Sequence, residues 1–352
     1  MSQFHTLNIK DITRQTDQCV SITFDVPDHL KEDYKFKAGQ YITLKTDIDG
    51  KEVRRDYSLC TSPSSGNLTV AVKEVENGTF SKYANQVLKV GDTVDVAQPQ
   101  GRFTFTPDTS KTRTIAAFAA GSGITPVLSI LKTVLEEEPN SKFVLVYGNK
   151  TLKDTIFLND LLDIQNKYSD RLTIQFLYSQ SQEKDALFGR IEKSTVNFIV
   201  KNKYKDVNID AFYICGPEGM INTVKDVLAE NNIEDSKVFF ELFTTTSSVS
   251  VEDLEEVTDG TTSITVIVDD EEKTFTMSQQ QSVLEAALEQ DLDAPYSCQG
   301  GICSSCLARV KEGKATMRQN NILTDNEVAE GLILTCQAHP VSAKIIVDYD
   351  DI

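Results

Sequence analysis

Cys298-Gln299-Gly300-Gly301-Ile302-Cys303-Ser304-Ser305-Cys306 is the stretch from which the architecture of this 352-residue chain is read. A fourth cysteine, Cys336, follows after 29 more residues. The pattern C-x4-C-x2-C with one distant partner is the ligand spacing of a 2Fe–2S centre, in which each iron takes two thiolates. Three thiolates from one loop require that loop to wrap round the inorganic core. Gln299-Gly300-Gly301 allows this, because glycine enters backbone conformations closed to other residues and lets amides approach sulfur. Four thiolates also suit structural zinc, but zinc sites usually pair two short C-x2-C knuckles, and only one occurs here.

Around the loop, SITVIVDD, EKTFTM, the helical QSVLEAALEQ, CLARVKEG and AKIIVDY follow an α+β pattern, expected to form one unit over residues 262–352. Ser282 followed by Glu285 predicts a capping box at the helix start. Residues 244–261 are rich in Ser, Thr and acid, carry no core pattern and are expected to be a linker. Upstream, RTIAAFAA, KFVLVYGN, LTIQFLYS and AFYICG read as buried strands. PVLSILKTVLEEE, FLNDLLDIQNKY and MINTVKDVLAEN alternate with them as helices. That alternation predicts a parallel, doubly wound sheet over residues 108–243. Residues 1–107 hold short β-segments such as CVSITFDV, QYITLKT and LTVAVKEV, parted by turn signals at Asp49-Gly50, Gly66-Asn67, Asn77-Gly78 and Gly91-Asp92. Such a run predicts an antiparallel barrel or sandwich.

Composition supports a soluble protein of several domains, with 40% apolar and 25% charged residues. No run approaches the ~18 apolar residues of a membrane span. The start MSQFHTLNIKDITRQ lacks a basic segment followed by an apolar one, so a cytoplasmic protein is expected. Seven cysteines, an odd number, do not suggest a disulfide scaffold. The formal net charge of −18 is uneven: residues 244–352 carry 20 acidic and 6 basic side chains. This balance argues against nucleic acid and anionic membrane as partners and suits either a basic docking face on another protein or a solvated acidic surface that only aids solubility.

Five further motifs carry chemistry. Arg55-Asp56-Tyr57-Ser58 ends a barrel strand: Arg pairs with a pyrophosphate, Tyr stacks on an isoalloxazine, and Ser bonds its polar edge. Gly78-Thr79-Phe80-Ser81 offers amides and hydroxyls to phosphate. Gly121-Ser122-Gly123-Ile124-Thr125-Pro126 joins a strand to a helix, with Thr125 expected as N-cap and Pro126 as first helical residue. A glycine turn into a helix N-terminus is an anion site for a dinucleotide. Cys215-Gly216-Pro217-Glu218-Gly219-Met220 follows a strand, where a thiol can lie against a nicotinamide. Glu241-Leu242-Phe243 offers an aromatic cover for a flavin face. Taken singly, each has a plainer reading as surface, tight turn or core.

In this order, the motifs resemble the ferredoxin–NADP⁺ reductase superfamily with a C-terminal plant-type ferredoxin domain. Within it, CQGGICSSCLARVKEGKATM and NNILTDNEVAEGLILTCQAHP are most similar to the reductase components of phenylacetyl-CoA epoxidase. The resemblance implies a β-barrel FAD domain, a doubly wound nicotinamide domain and a β-grasp 2Fe–2S ferredoxin domain. It places Arg55, Tyr57, Ser58, Leu59, Gly78, Phe80 and Ser81 at the flavin. Gly121, Gly123, Thr125, Pro126, Ser179, Arg190, Gly216 and Pro217 fall at the nucleotide. Cys215, Glu241 and Phe243 attend hydride transfer, and Cys298, Cys303, Cys306 and Cys336 hold iron. Electrons would pass from NAD(P)H through FAD and the cluster to a diiron oxygenase of phenylacetate breakdown. Relatives that prefer NADPH often carry an Arg after the Ser that ends the third sheet strand. Here the segment is Tyr178-Ser179-Gln180-Ser181, which leaves Lys184 or Arg190 to meet a 2′-phosphate and leaves NADH open. FMN in place of FAD, another oxygenase, a desaturase or a hybrid-cluster protein as acceptor, and a redox sensor without turnover are the alternatives.

Overall fold

A computed structural model describes residues 4–243, 254 and 257–352. Of the expected linker, residues 244–253, 255 and 256 lie outside the described residues. The chain folds as two units, one over Phe4–Phe243 and a C-terminal one.

The first part of the larger unit is built from strands β1 (Phe4–Thr16), β2 (Cys19–Asp25), β3 (Tyr41–Ile48), β4 (Lys51–Ser58), β5 (Leu68–Lys73) and β6 (Thr93–Ala97). They pair antiparallel in the order β4-β3-β6-β1-β2-β5. Alternate residues face inward, so Leu7, Ile9, Val20, Ile22, Ile42, Leu44, Val70, Val72, Val94 and Val96 fill one core. The two outer strands meet where Leu59 bridges Val70 and the Cys60 amide donates to the Thr69 carbonyl at 3.0 Å. This closes the expected barrel. Helix α1 (Thr79–Gln86) buries Phe80 and Ala84 in the same core.

The second part is a parallel sheet of β7 (Thr114–Ala120), β8 (Lys142–Asn149), β9 (Leu172–Tyr178), β10 (Leu187–Phe188), β11 (Ala211–Gly216) and β12 (Val238–Leu242). Its order, β10-β9-β8-β7-β11-β12, reverses between β7 and β11. Ligands of such sheets bind outside the carboxyl ends at that reversal. Helices α2 (Ile124–Glu137), α3 (Leu158–Lys167), α4 (Lys193–Asn197) and α5 (Glu218–Glu230) connect the strands. A π-helical stretch, Phe198–Lys203, prolongs α4. Val196 and Ile199 are the buried anchors of that segment, too few for a periodic signal in the sequence.

Helix α2 begins earlier than expected. Gly121–Gly123 already forms a 3-10 turn, which winds directly into the helix, so Gly123 is the N-cap. Thr125 therefore lies inside the first turn, where its hydroxyl donates to the Ser122 carbonyl at 3.0 Å instead of accepting an amide. Pro126 is the third helical residue, not the first. It is tolerated because an amide there has no helical partner.

The C-terminal unit contains β13 (Thr261–Val268), β14 (Glu271–Ser278), β15 (Leu307–Glu312), β16 (Ala315–Met317), β17 (Leu332–Leu334), β18 (Ala338–Pro340) and β19 (Lys344–Asp348). Its main sheet runs β14-β13-β19-β15-β17, and β16 pairs with β18 apart from it. Only β13 and β19 are parallel; the other pairs are antiparallel. Helices α6 (Val283–Glu289) and α7 (Asp325–Ala329) complete this β-grasp unit. The capping box of Ser282 and Glu285 is present in both directions. Thr324 and Glu327 form a second one on α7. Val283, Leu284, Ala286 and Ala287 of α6 pack on Ile264, Val266, Ile345 and Val347 of the sheet.

Candidate functional site

The four thiols of the C-terminal unit fall into two pairs. Cys298 hydrogen-bonds with Cys303, and Cys306 with Cys336. The first pair is half-buried and the second buried. Among the described residues, no three His, Cys, Asp or Glu side chains are grouped as they would be round a single metal ion. Two pairs of thiols suit two irons, each with two protein ligands. The Gly300 amide donates to Cys298 Sγ at 3.3 Å, and Gln337 Nε2 reaches Cys336 Sγ at 3.6 Å. The Cys303 thiol, together with the loop amides, pulls the Cys298 thiol down to about 6, so the loop favours thiolate there. Gln337 was not singled out from the sequence, although it directly follows a ligand. The residues fit the cluster.

In the larger unit, β4 delivers Arg55 exposed and Tyr57 half-buried, with the Tyr57 ring centroid 5.5 Å from that of Phe80. Gly78 caps α1, and a Cβ there would lie 2.2 Å from Ser81 Oγ and 2.6 Å from Val75 Cγ2. A side chain there would have to displace Ser81 and Val75, so the tight turn keeps its glycine, in a loop of the kind that offers amides to phosphate. Ser81 Oγ accepts the Val75 amide at 3.3 Å, which fixes that turn. Leu59 and Phe80 belong to the barrel core, so they act as support for the site, with Phe80 beneath Tyr57.

The reversal between β7 and β11 gathers the remaining residues. Gly123 approaches the end of β11 so closely that a Cβ would sit 2.1 Å from the Cys215 carbonyl oxygen. Cys215 stands in register with Glu241 on β12, and Ser58 Oγ donates to Glu241 Oε2 at 3.1 Å. Barrel and sheet therefore touch here. Burial pushes the Glu241 carboxyl up to about 8, against the weaker lowering by Ser58. Burial, then Glu241, raises the Cys215 thiol, so it stays protonated. Phe243 packs against the core that contains Cys215. Gly216 ends β11 and Pro217 caps α5.

Ser179 and Arg190 follow the neighbouring strands β9 and β10. The Ser179 amide donates to the Asn149 carbonyl at 3.0 Å, and Arg190 is exposed. Asn149 Nδ2 and Ser181 Oγ, to which no motif assigned a role, are buried at this carboxyl edge without a partner among the described residues. Orphaned polar atoms and a cradle without Cβ fit a dinucleotide at this edge.

Barrel, doubly wound sheet and paired thiols define a flavin-dependent oxidoreductase with an iron–sulfur centre. Three family models match: the oxidoreductase FAD-binding domain over residues 6–105, the oxidoreductase NAD-binding domain over 118–226 and the 2Fe-2S iron-sulfur cluster binding domain over 266–341. The chain is 37% identical to one component of 1,2-phenylacetyl-CoA epoxidase from Escherichia coli K12, over 99% of each chain. It is 32% identical to the ferredoxin reductase component of 3-ketosteroid-9-alpha-monooxygenase from Rhodococcus rhodochrous, over 97% of this chain and 96% of that one. Among solved structures, phthalate dioxygenase reductase matches with a TM-score of 0.61 and 23% identity over 98% of both chains, a likeness of fold. The chain belongs to the ferredoxin–NADP⁺ reductase family, in the branch with a C-terminal 2Fe–2S domain. It is an NAD(P)H-dependent oxidoreductase that takes FAD and a 2Fe–2S cluster. Among the described residues no helix is long and apolar enough to cross a membrane.

Proposed function

We propose that this protein feeds electrons from NAD(P)H to an oxygenase, and that the acceptor is a diiron phenylacetyl-CoA epoxidase. The observation that carries this reading is the full-length likeness to the component of the Escherichia coli epoxidase. FAD supplies the change from a hydride's electron pair to single electrons, and the cluster carries those singly.

The chain's own residues prepare that chemistry. Tyr57 presents one face of its ring from the barrel, and Phe243 offers an aromatic from the end of the sheet. Arg55 and the Gly78 turn receive the diphosphate. Gly123, the first turn of α2 (Thr125 and Pro126), Gly216 and Pro217 shape the nucleotide cleft. Cys215 sets its floor with a neutral thiol. Burial raises the Glu241 carboxyl to about 8, and Ser58 donates to its Oε2, which ties the carboxyl to the barrel. Ser179 and Arg190 stand where the adenosine end reaches the sheet edge, and Arg190 is the cation offered to a 2′-phosphate.

Reconstitution tests the reading. The pure protein, the purified oxygenase components of the epoxidase, phenylacetyl-CoA and NADPH or NADH are combined side by side. Thioester-dependent nucleotide oxidation with epoxide formation is expected. Rapid reduction of ferricyanide without any coupling to the epoxidase would remove that acceptor and keep the reductase. The likeness to the ketosteroid monooxygenase reductase favours, in that outcome, another oxygenase as partner.

A further inference from the structure

Arg318 belongs to none of the motifs described so far. It directly follows β16, which pairs with β18 so that Met317 stands opposite Ala338. One residue further, the Arg318 amide donates to the Gln337 carbonyl at 2.9 Å. Its guanidinium Nη2 donates to the carbonyl of Cys336 at 3.1 Å. Main chain and side chain thus both hold the segment that carries the fourth ligand. Gln337 Nε2 donates to the same carbonyl at 3.1 Å and also reaches the Cys336 sulfur.

Arg309 and Lys311 pair with Asp351, and Lys344 pairs with Glu312. Among the described residues no carboxylate pairs with Arg318, and its Nε is buried without a hydrogen-bond partner. The neighbouring His339 is buried, with Nδ1 on the Gln279 carbonyl at 3.1 Å. Burial lowers its basicity and Arg318 pushes the same way, so the ring adds no second cation. A guanidinium keeps its proton in proteins. Arg318 therefore adds a fixed positive charge beside Cys336, in a unit with 20 acidic and 6 basic residues.

We propose that Arg318 sets the reduction potential of the 2Fe–2S centre, its unpaired guanidinium favouring the reduced state from the carbonyl of Cys336. Reduction adds one electron, and so one negative charge, to the cluster and its ligands, with no bond made or broken. Net charge, hydrogen bonding and exposure govern such potentials. A partly desolvated cation attracts the added charge with less screening than a surface lysine. Arg318 ligates no iron; it is a positioning residue that acts through Cys336, whichever oxygenase receives the electrons.

Redox titration of the holoprotein, followed by visible absorption and electron paramagnetic resonance, tests this on wild type, Arg318→Gln and Arg318→Lys. Arg318→Gln should keep its iron and its spectrum. At a fixed ambient potential its ratio of reduced to oxidised cluster should fall about tenfold, a shift near 59 mV to the negative for one electron. Arg318→Lys, which keeps the charge, should titrate close to wild type, and the flavin potential should not move in either variant. The proposal is overturned if iron-replete Arg318→Gln titrates with wild type, or if Arg318→Lys falls equally far. Should Arg318→Gln fail to hold iron, Thr316→Glu sets a carboxylate on β16, two residues before Arg318. The same negative shift is expected there, and an unmoved potential would count against the proposal equally.

Discussion

Glu241 ionises near 4.5 when free, but burial holds it up to about 8 in the folded chain. Between those values the unfolded chain has released the proton and the folded one has not, so stability falls as pH rises. The contribution is whole below pH 4.5 and is lost as pH rises through about 8. Urea unfolding at pH 5 and pH 8 should therefore show wild type losing ground to Glu241→Gln at the higher pH. An unchanged gap would mean that the carboxyl is ionised in the fold. Gly123 makes a different kind of demand. Its missing side chain leaves room for the Cys215 carbonyl, which a Cβ would meet at 2.1 Å. Gly123→Ala must displace backbone, at an overpacking cost of about 1–3 kcal/mol. A lower melting temperature and slower reduction by NAD(P)H are expected together, checked by calorimetry and stopped-flow absorbance.

At the scale of elements, the capping boxes give the clearest test. Ser282 Oγ accepts the Glu285 amide, and the Ser282 amide donates back to Glu285 Oε2 at the start of α6. Ser282→Ala should cost about 1 kcal/mol, seen as earlier thermal loss of cluster absorbance while flavin absorbance holds. Most elements were legible in the sequence because their periodicity is strong. KFVLVYGN and AFYICG coincide with β8 and β11 to the residue. The start of α2 was misread because a glycine turn that is itself helical leaves no distinct cap in the sequence. Helix α7 was passed over despite its signal, Thr324 with Glu327, since it buries no residue of its own. For the candidate site, spacing alone singles out the four cysteines, which the fold gathers into two pairs. The meeting of Ser58 with Glu241 was not legible, since those residues lie 183 positions apart and only the fold brings them together.

For the whole molecule, FAD and nucleotide fall to the larger unit and the cluster to the C-terminal one, so removing one cluster thiol tests the two chemistries apart. Cys336→Ser should abolish cluster absorption and iron binding. FAD binding and ferricyanide reduction by NAD(P)H should survive, while transfer to a protein acceptor stops. Iron analysis and paired acceptor assays check this; loss of both activities would mean that the cysteine supports the larger unit as well. The barrel of that unit carries a consequence of its own. Its ring is joined by the Leu59–Val70 bridge and the bond from Cys60 to Thr69, while β2 and β5 are joined by a long ladder. The strand end that carries Arg55 to Ser58 therefore lies beside a latch. Deuterium from the solvent should enter at this latch first, and a ligand lying across Tyr57 would fasten it.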